Sequence, residues 1–187
     1  MIELTTERLL LRPFTDADVD FVLDVYSRAE VQRYIGRTPR VMADRAEARA
    51  AVARYASFDD GVRGAWLIAD RKTGARFGNL LLKSLPASAD EEPLPPSGET
   101  EIGWHLHPTA MHRGIATEAA ARVLAHAFES GLPRVLAVTH PDNHASQAVA
   151  RRIGMADAGL TDAYYGTTCR LFRLEGGSGL TDRSCRP

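Results

Sequence analysis

Glu101-Ile102-Gly103-Trp104-His105-Leu106-His107-Pro108, followed at once by Met111-His112-Arg113-Gly114-Ile115-Ala116-Thr117-Glu118, is the stretch on which the fold turns. Residues Glu101 to Leu106 suit a strand, and Pro108, which lacks a backbone donor, should end it. The octet after it sets Gly114 and the small Ala116 where a loop becomes a helix. A helix start offers four backbone N–H groups without internal partners and a positive dipole end, so it can hold a pyrophosphate without many basic side chains. Small residues there allow a close approach to the backbone. The octet is not a Walker loop, which needs GxxxxGK and then Ser or Thr, and it lacks GxGxxG. Taken alone, Gly114 reads equally well as a turn residue before an Ala-rich helix.

Working outward, the helix expected over Ala116 to Ser130 buries Ala116, Ala120, Val123, Leu124, Ala127 and Phe128, and Glu118 can pair with Arg122 one turn on. Gly131 and Pro133 stop it. Val135-Leu136-Ala137-Val138 is a short buried strand, and His140-Pro141-Asp142-Asn143-His144-Ala145-Ser146 opens a helix that ends at Gly154. Two helix starts therefore flank one strand. Strands are expected near Ala156 to Tyr165 and Thr168 to Leu174. Upstream, Arg8 to Pro13 is a strand closed by proline; Thr15 caps a helix, answered by Asp18, with Phe14 stapled to Val19 and with Val19, Val22, Leu23 and Tyr26 on one face. A second helix, Asp44 to Ala56, is apolar at Ala48, Ala51, Val52 and Tyr55 and Arg-rich on its polar side. Ala65 to Ala69 and Phe77 to Leu82 form a hairpin around Asp70 to Gly74. Ser84 to Gly98, polar and Pro-rich, reads as an exposed, mobile hairpin loop, and Gly176 to Pro187 as a disordered tail. The expected whole is one domain over residues 1–175, a mixed α/β layout around one sheet.

The composition is that of a folded globular chain: 187 residues, 44% apolar and 25% charged. With 23 Lys plus Arg against 24 Asp plus Glu, the net charge of −1 gives no global field for nucleic acid or an anionic membrane, so an anion must be held locally. No apolar run is long enough for a membrane span and Met1-Ile2-Glu3-Leu4 lacks signal-peptide character, from which a cytoplasmic location is expected. Cys169 and Cys185 form no CxxC or Cys/His cluster, so free thiols and no metal are expected.

The chain resembles the GNAT acetyltransferase superfamily and, within it, the ribosomal-protein-alanine N-acetyltransferase (RimJ/RimL-type) branch. Thr6-Glu7-Arg8-Leu9, Leu11-Arg12-Pro13, Glu101-Ile102-Gly103, Gly114-Ile115-Ala116-Thr117-Glu118-Ala119 and His140 to Ser146 carry the resemblance, which covers roughly residues 6 to 175. It implies the GNAT fold, a mostly antiparallel sheet splayed between its fourth and fifth strands and flanked by about four helices. Acetyl-CoA would lie in the gap between the strands ending near His107 and Thr139, its pantetheine arm on the backbone of Leu106, His107 and Pro108. Its pyrophosphate would lie on the turn made by His112, Arg113, Gly114, Ile115, Ala116 and Thr117. Asn143 matches the family's pantetheine contact and is also a good helix cap. The loop departs from the usual Arg or Gln three residues before the glycine, where Met111 stands; in the alanine branch that position is commonly aromatic.

Acetyl transfer needs a neutral amine and a proton for the leaving thiolate. Glu101, matching the Glu-Ile-Gly strand, is the first candidate for the base, Glu99 the second; a solvated strand-edge carboxylate is the plain alternative. His105 and His107 share a strand face and either could act near neutral pH. Many GNAT enzymes carry a Tyr seven residues after the Asn; here Ala150 stands there. Ser146, three after Asn143, matches the branch's alternative, with Tyr164 or Tyr165 as substitutes. Cys169 has no recognisable His or Asp partner for acyl transfer, so direct attack in a ternary complex is favoured over it. The acceptor would be a primary amine, of a protein N-terminus or a small molecule, with a homodimer as the default assembly. A regulatory CoA-binding module and an acyltransferase using another acyl-CoA are the competing readings.

Overall fold

The computed structural model describes residues 1–90 and 92–177. Eight strands form one sheet: β1 (Leu4–Thr5), β2 (Leu9–Pro13), β3 (Gly64–Asp70), β4 (Arg76–Pro86), β5 (Pro96–Leu106), β6 (Arg134–Thr139), β7 (Ala156–Thr161) and β8 (Cys169–Glu175), in the order β1-β2-β3-β4-β5-β6-β8-β7. Five α-helices accompany it: α1 (Val19–Tyr26), α2 (Ala29–Gln32), α3 (Arg45–Ala56), α4 (Ile115–Glu129) and α5 (His144–Arg152). None of the described helices is long and apolar enough to cross a membrane.

Strand alternation sorts side chains between two cores. Trp66, Ile68, Leu80, Leu82, Ile102 and Leu106 pack under α4 and α5, with Val123 and Phe172 fully buried. On the opposite face, Ala65 and Leu81 meet α1 and α3 through Val22, Tyr26, Ala48 and Tyr55. The capping expected at the first helix is present: the Asp18 carboxylate accepts from Thr15 N–H at 2.9 Å and from its hydroxyl at 3.0 Å, although the first turn is a 3-10 turn over Asp16–Asp18. Asp44 caps α3 by accepting from Ala46 and Glu47 N–H.

Every neighbouring pair is antiparallel except β5 and β6, which run parallel and need the helical crossover α4 between them. That seam is thin, because Glu101 opposite Leu136 is its single matched pair. The splay therefore sits where the family resemblance places it; its strands are the fifth and sixth only because Leu4–Thr5 adds a short edge strand.

Three local expectations need correction. Residues 84–98 are not all loop: β4 continues to Pro86 and β5 begins at Pro96, and the remaining connection is tied down by Ser88 N–H on Ala163 O (2.8 Å) and Ser88 Oγ on Asp162 O (2.6 Å). Prolines end those strands only where pairing has already lost register, between Ser84 and Pro86. Glu118 does not pair with Arg122; Thr6 Oγ1 and Arg8 Nε (2.7 Å) take its carboxylate, while Arg122 lies 3.7 Å from Glu129. Strand β7 ends at Thr161, short of Tyr165. Cys169 is a buried free thiol; Cys185 and the tail reading from Ser178 onward lie outside the described residues.

Candidate active site

The parallel pair sends both its strands toward the same end of the sheet, and each is followed by a helix whose first turn sits there. At the start of α4 the chain bends through two left-handed residues, His112 (φ 59°) and Gly114 (φ 75°). Gly114 is the N-cap and has no side chain to offer, so the amides of Ile115, Ala116 and Thr117 are uncapped. Just beyond them Glu118 would place a negative charge in the first turn, but Arg8 neutralises it and also reaches the Arg113 carbonyl (3.3 Å). The Thr-Glu-Arg segment at the N-terminus is thus a clamp on this turn.

Strand β5 bears the second half of the site. His107 N–H donates to Phe77 O at 2.8 Å, on the β4 side. Successive residues turn their amides to opposite edges, so those of Leu106 and Trp104 point toward β6, where no matched pair lies beyond Glu101. Opposite them, Thr139 ends β6 with a buried Oγ1 that has no hydrogen-bond partner among the described residues. Asn143 caps α5 by accepting from Ser146 N–H (3.1 Å), and its Nδ2 has no partner among the described residues. The Ser146 hydroxyl is half-buried on the same turn. Ala150 is fully buried, so that position supplies no proton.

On the α1–α3 face a cavity of about 860 Å³ opens against the seam, with Lys83, Glu101, His105, Thr139, Tyr165 and Cys169 in its wall. Lys83 stands directly across from Glu101 in the β4–β5 register and puts Nζ 2.6 Å from its Oε1. Tyr165 donates its hydroxyl to the same oxygen, and Lys83 Nζ donates to the Tyr165 hydroxyl at 2.8 Å. Glu101 is 7% exposed, yet Oε2 has no partner among the described residues, so one carboxylate oxygen is held and the other is open. Burial and then the Glu101 charge push the Tyr165 hydroxyl far above the ordinary tyrosine range, and burial ahead of Glu101 raises the Cys169 thiol. Both stay protonated at neutral pH. Tyr165 adopts φ 60°, a conformation that costs a non-glycine residue about 1–2 kcal/mol and that its hydrogen bonds hold in place.

The histidines behave differently from their sequence reading. Burial, with the Lys83 charge added, pushes the His105 imidazole down to about 4, which takes it out of the neutral range. Its Nδ1 meets the Tyr26 hydroxyl at 2.8 Å; Tyr26 donates to Asn79 Oδ1 (3.0 Å) and accepts from Tyr55 (3.0 Å), and in that arrangement Nδ1 carries the proton. His107 is a turn residue: Nδ1 bonds Thr109, and Nε2 lies 3.2 Å from Asp24 but off the hydrogen-bonding direction. Glu99 is committed to Arg134. Tyr164 does not line the cavity; it bridges Ala87 through its backbone. Sequence reading missed Lys83, whose signal was its position one residue past the strand assigned to Phe77 to Leu82, and Thr139, the residue just before His140.

Comparison with known proteins bears on this geometry. A family model for the acetyltransferase (GNAT) domain matches residues 8–156. The uncharacterised N-acetyltransferase YoaA of Bacillus subtilis is 29% identical over 163 residues, which span 86% of each chain. An acetyltransferase from Agrobacterium tumefaciens superposes with a TM-score of 0.76 at 26% identity, covering 94% of this chain and 95% of that one. A RimL ribosomal L7/L12 alpha-N-protein acetyltransferase, solved in complex with coenzyme A, shares the fold with a TM-score of 0.75 at 20% identity over 93% and 98% of the two chains.

Proposed function

Because this chain belongs to the GNAT family and is an acyl-CoA-dependent acetyltransferase, we propose that it moves an acetyl group from acetyl-CoA to a primary amine by direct attack in a ternary complex. The observation that carries the reading is the open Oε2 of a buried Glu101, standing at the single matched pair of a seam whose far end meets an uncapped helix start.

Acetyl-CoA supplies the activated thioester. The residues present fit it: the amides of Gly114, Ile115, Ala116 and Thr117, in the turn begun by His112 and Arg113, would hold the diphosphate, and the backbone of Leu106 and His107 would hold the pantetheine arm, with Asn143 Nδ2 on the other side. Glu101 Oε2 takes the amine proton, and Lys83 and Tyr165, both on Oε1, keep the carboxylate oriented. Tyr165 rather than Tyr164 brings a protonated hydroxyl into the cavity, and Ser146 is the second donor within the α5 turn. Cytoplasmic placement and a protein N-terminus or a small molecule as acceptor belong to this reading.

Thiol release from acetyl-CoA, followed across N-terminal peptides, polyamines and aminoglycosides, tests it. Release that needs both an amine and acetyl-CoA is expected; acetyl-CoA that stabilises the protein without any release would leave a binding module instead.

A further inference from the structure

The cavity wall is strongly unlike the chain as a whole. It contains five cations, Arg33, Arg37, Arg40, Arg54 and Lys83, against two carboxylates, Glu47 and Glu101, in a protein of net charge −1. Both carboxylates are already taken: Glu47 by Arg40 at 2.8 Å and Glu101 by Lys83 at 2.6 Å. Among the described residues Arg33 and Arg54 have no carboxylate in ion-pair range; each lies instead over a tyrosine ring, at 5.0 Å from Tyr34 and 5.9 Å from Tyr55, which orients a guanidinium without neutralising it. Arg37 lies over Gly166, where a Cβ would stand 3.2 Å from its Nη1, and it also has Glu92 within ion-pair range at 3.9 Å; the Tyr34 ring meets His140 at 5.1 Å. The segment between α2 and α3 therefore roofs the cavity, touching the loops after β6 and β7. None of residues 112–117 belongs to this wall, so these arginines are not partners of the diphosphate turn.

We propose that the acceptor is a primary amine carried on an acidic molecule, with one or more carboxylate or phosphate groups held by Arg33 and Arg54 while the amine reaches Glu101. This deepens, and rests on, the acetyl-transfer reading. Planar guanidinium groups bind such oxyanions in pairs of hydrogen bonds, and a rim of like charge raises the local concentration of an anionic acceptor. A cationic acceptor such as a polyamine meets the same rim as repulsion.

The test uses acceptors matched in their amine and differing only in charge: peptides beginning Ala-Glu-Glu, Ala-Gln-Gln and Ala-Lys-Lys, and small amino acids bearing a second carboxylate against their amides. Thiol release from acetyl-CoA is the readout, and the peptide and small-molecule arms distinguish the two sources of the same chemistry. The acidic members should show kcat/KM about tenfold or more above the neutral ones. That advantage should shrink as salt rises from about 0.05 to about 0.5 M. Arg33→Gln with Arg54→Gln should raise KM for the acidic member about tenfold, with kcat within about twofold and the neutral member unaffected. A retained rise in melting temperature with acetyl-CoA shows that the variant is folded, and the wild-type charge series decides the question without it. Equal service of neutral or lysine members, or a variant that slows every acceptor alike, overturns this inference alone. No release with any acceptor overturns the acetyl-transfer reading and takes this one with it.

Discussion

A carboxylate between a lysine and a tyrosine is a different reagent from one at a solvated strand edge. Glu101 has one oxygen committed to Lys83 and Tyr165 and one open to the cavity. Replacing it by Gln keeps the shape and removes the proton acceptor, so turnover should fall about a hundredfold or more while the stabilisation by acetyl-CoA is unchanged. Equal loss of both would make Glu101 a structural residue. His105 gives a pH signature. Folded, it titrates near 4; unfolded, near its ordinary value of 6.5. Between those values the unfolded chain binds the extra proton, so stability falls as pH drops through that window, by about 3 kcal/mol in all. His105→Gln should flatten the melting temperature between pH 6.5 and 4, and an unchanged slope would refute the assignment. Glu101 was named from the sequence through the resemblance of its Glu-Ile-Gly strand, and the structure puts it in the cavity wall. Lys83 was not legible there, since its partner is chosen by cross-strand register, and the distinction between Tyr164 and Tyr165 was not, since one left-handed residue in a loop reverses which ring faces inward.

At the scale of elements, the start of α4 is built by parts far apart in sequence. Gly114 takes φ 75° and leaves the first amides uncapped, while Thr6 and Arg8, from the turn between β1 and β2, hold Glu118 one turn later. Two changes separate these contributions. Gly114→Glu puts a charge and a strained residue at the mouth and should weaken acetyl-CoA binding by at least about tenfold, as read by calorimetry; unchanged affinity would remove the diphosphate assignment. Arg8→Ala frees Glu118 to repel the same anion, so affinity should fall and then recover in part when Glu118→Gln is added, with a stability cost of about 1 kcal/mol because Arg8 is half exposed. No recovery in the double variant would mean that the clamp acts on the fold and not on the charge. The octet announced this turn, but it could not show the clamp: an i to i+4 partner, Arg122, was available on the helix itself, and the docking of β1 and β2 against α4 outcompeted it.

The whole molecule is two packed faces on one sheet that is nearly cut at β5–β6. Its α4–α5 face is apolar, whereas the α1–α3 face gives way to a charged cavity at the cut. A ligand that fills the seam joins the two halves, so at about 100 times its Kd acetyl-CoA should stabilise the fold by about 2.7 kcal/mol. Hydrogen exchange places that effect: the amides of Trp104, Leu106 and Ile115 to Thr117 should exchange fast for a central strand and a helix start, and slow markedly with the ligand, while those of β3 stay protected throughout. Protection of Trp104 and Leu106 without ligand would close the seam. The sequence by itself determined most of the elements and the glycine turn that opens α4, because hydrophobic period, proline, glycine and capping residues act within a few residues of one another; the splay followed from the family resemblance. Only the tertiary structure decided which charges meet: that Lys83 occupies Glu101, that Arg8 occupies Glu118, that His105 meets the Tyr26 hydroxyl, and that arginines from separate elements converge over one cavity. Such pairings depend on register and on the docking of distant elements, and neither is written in any local pattern.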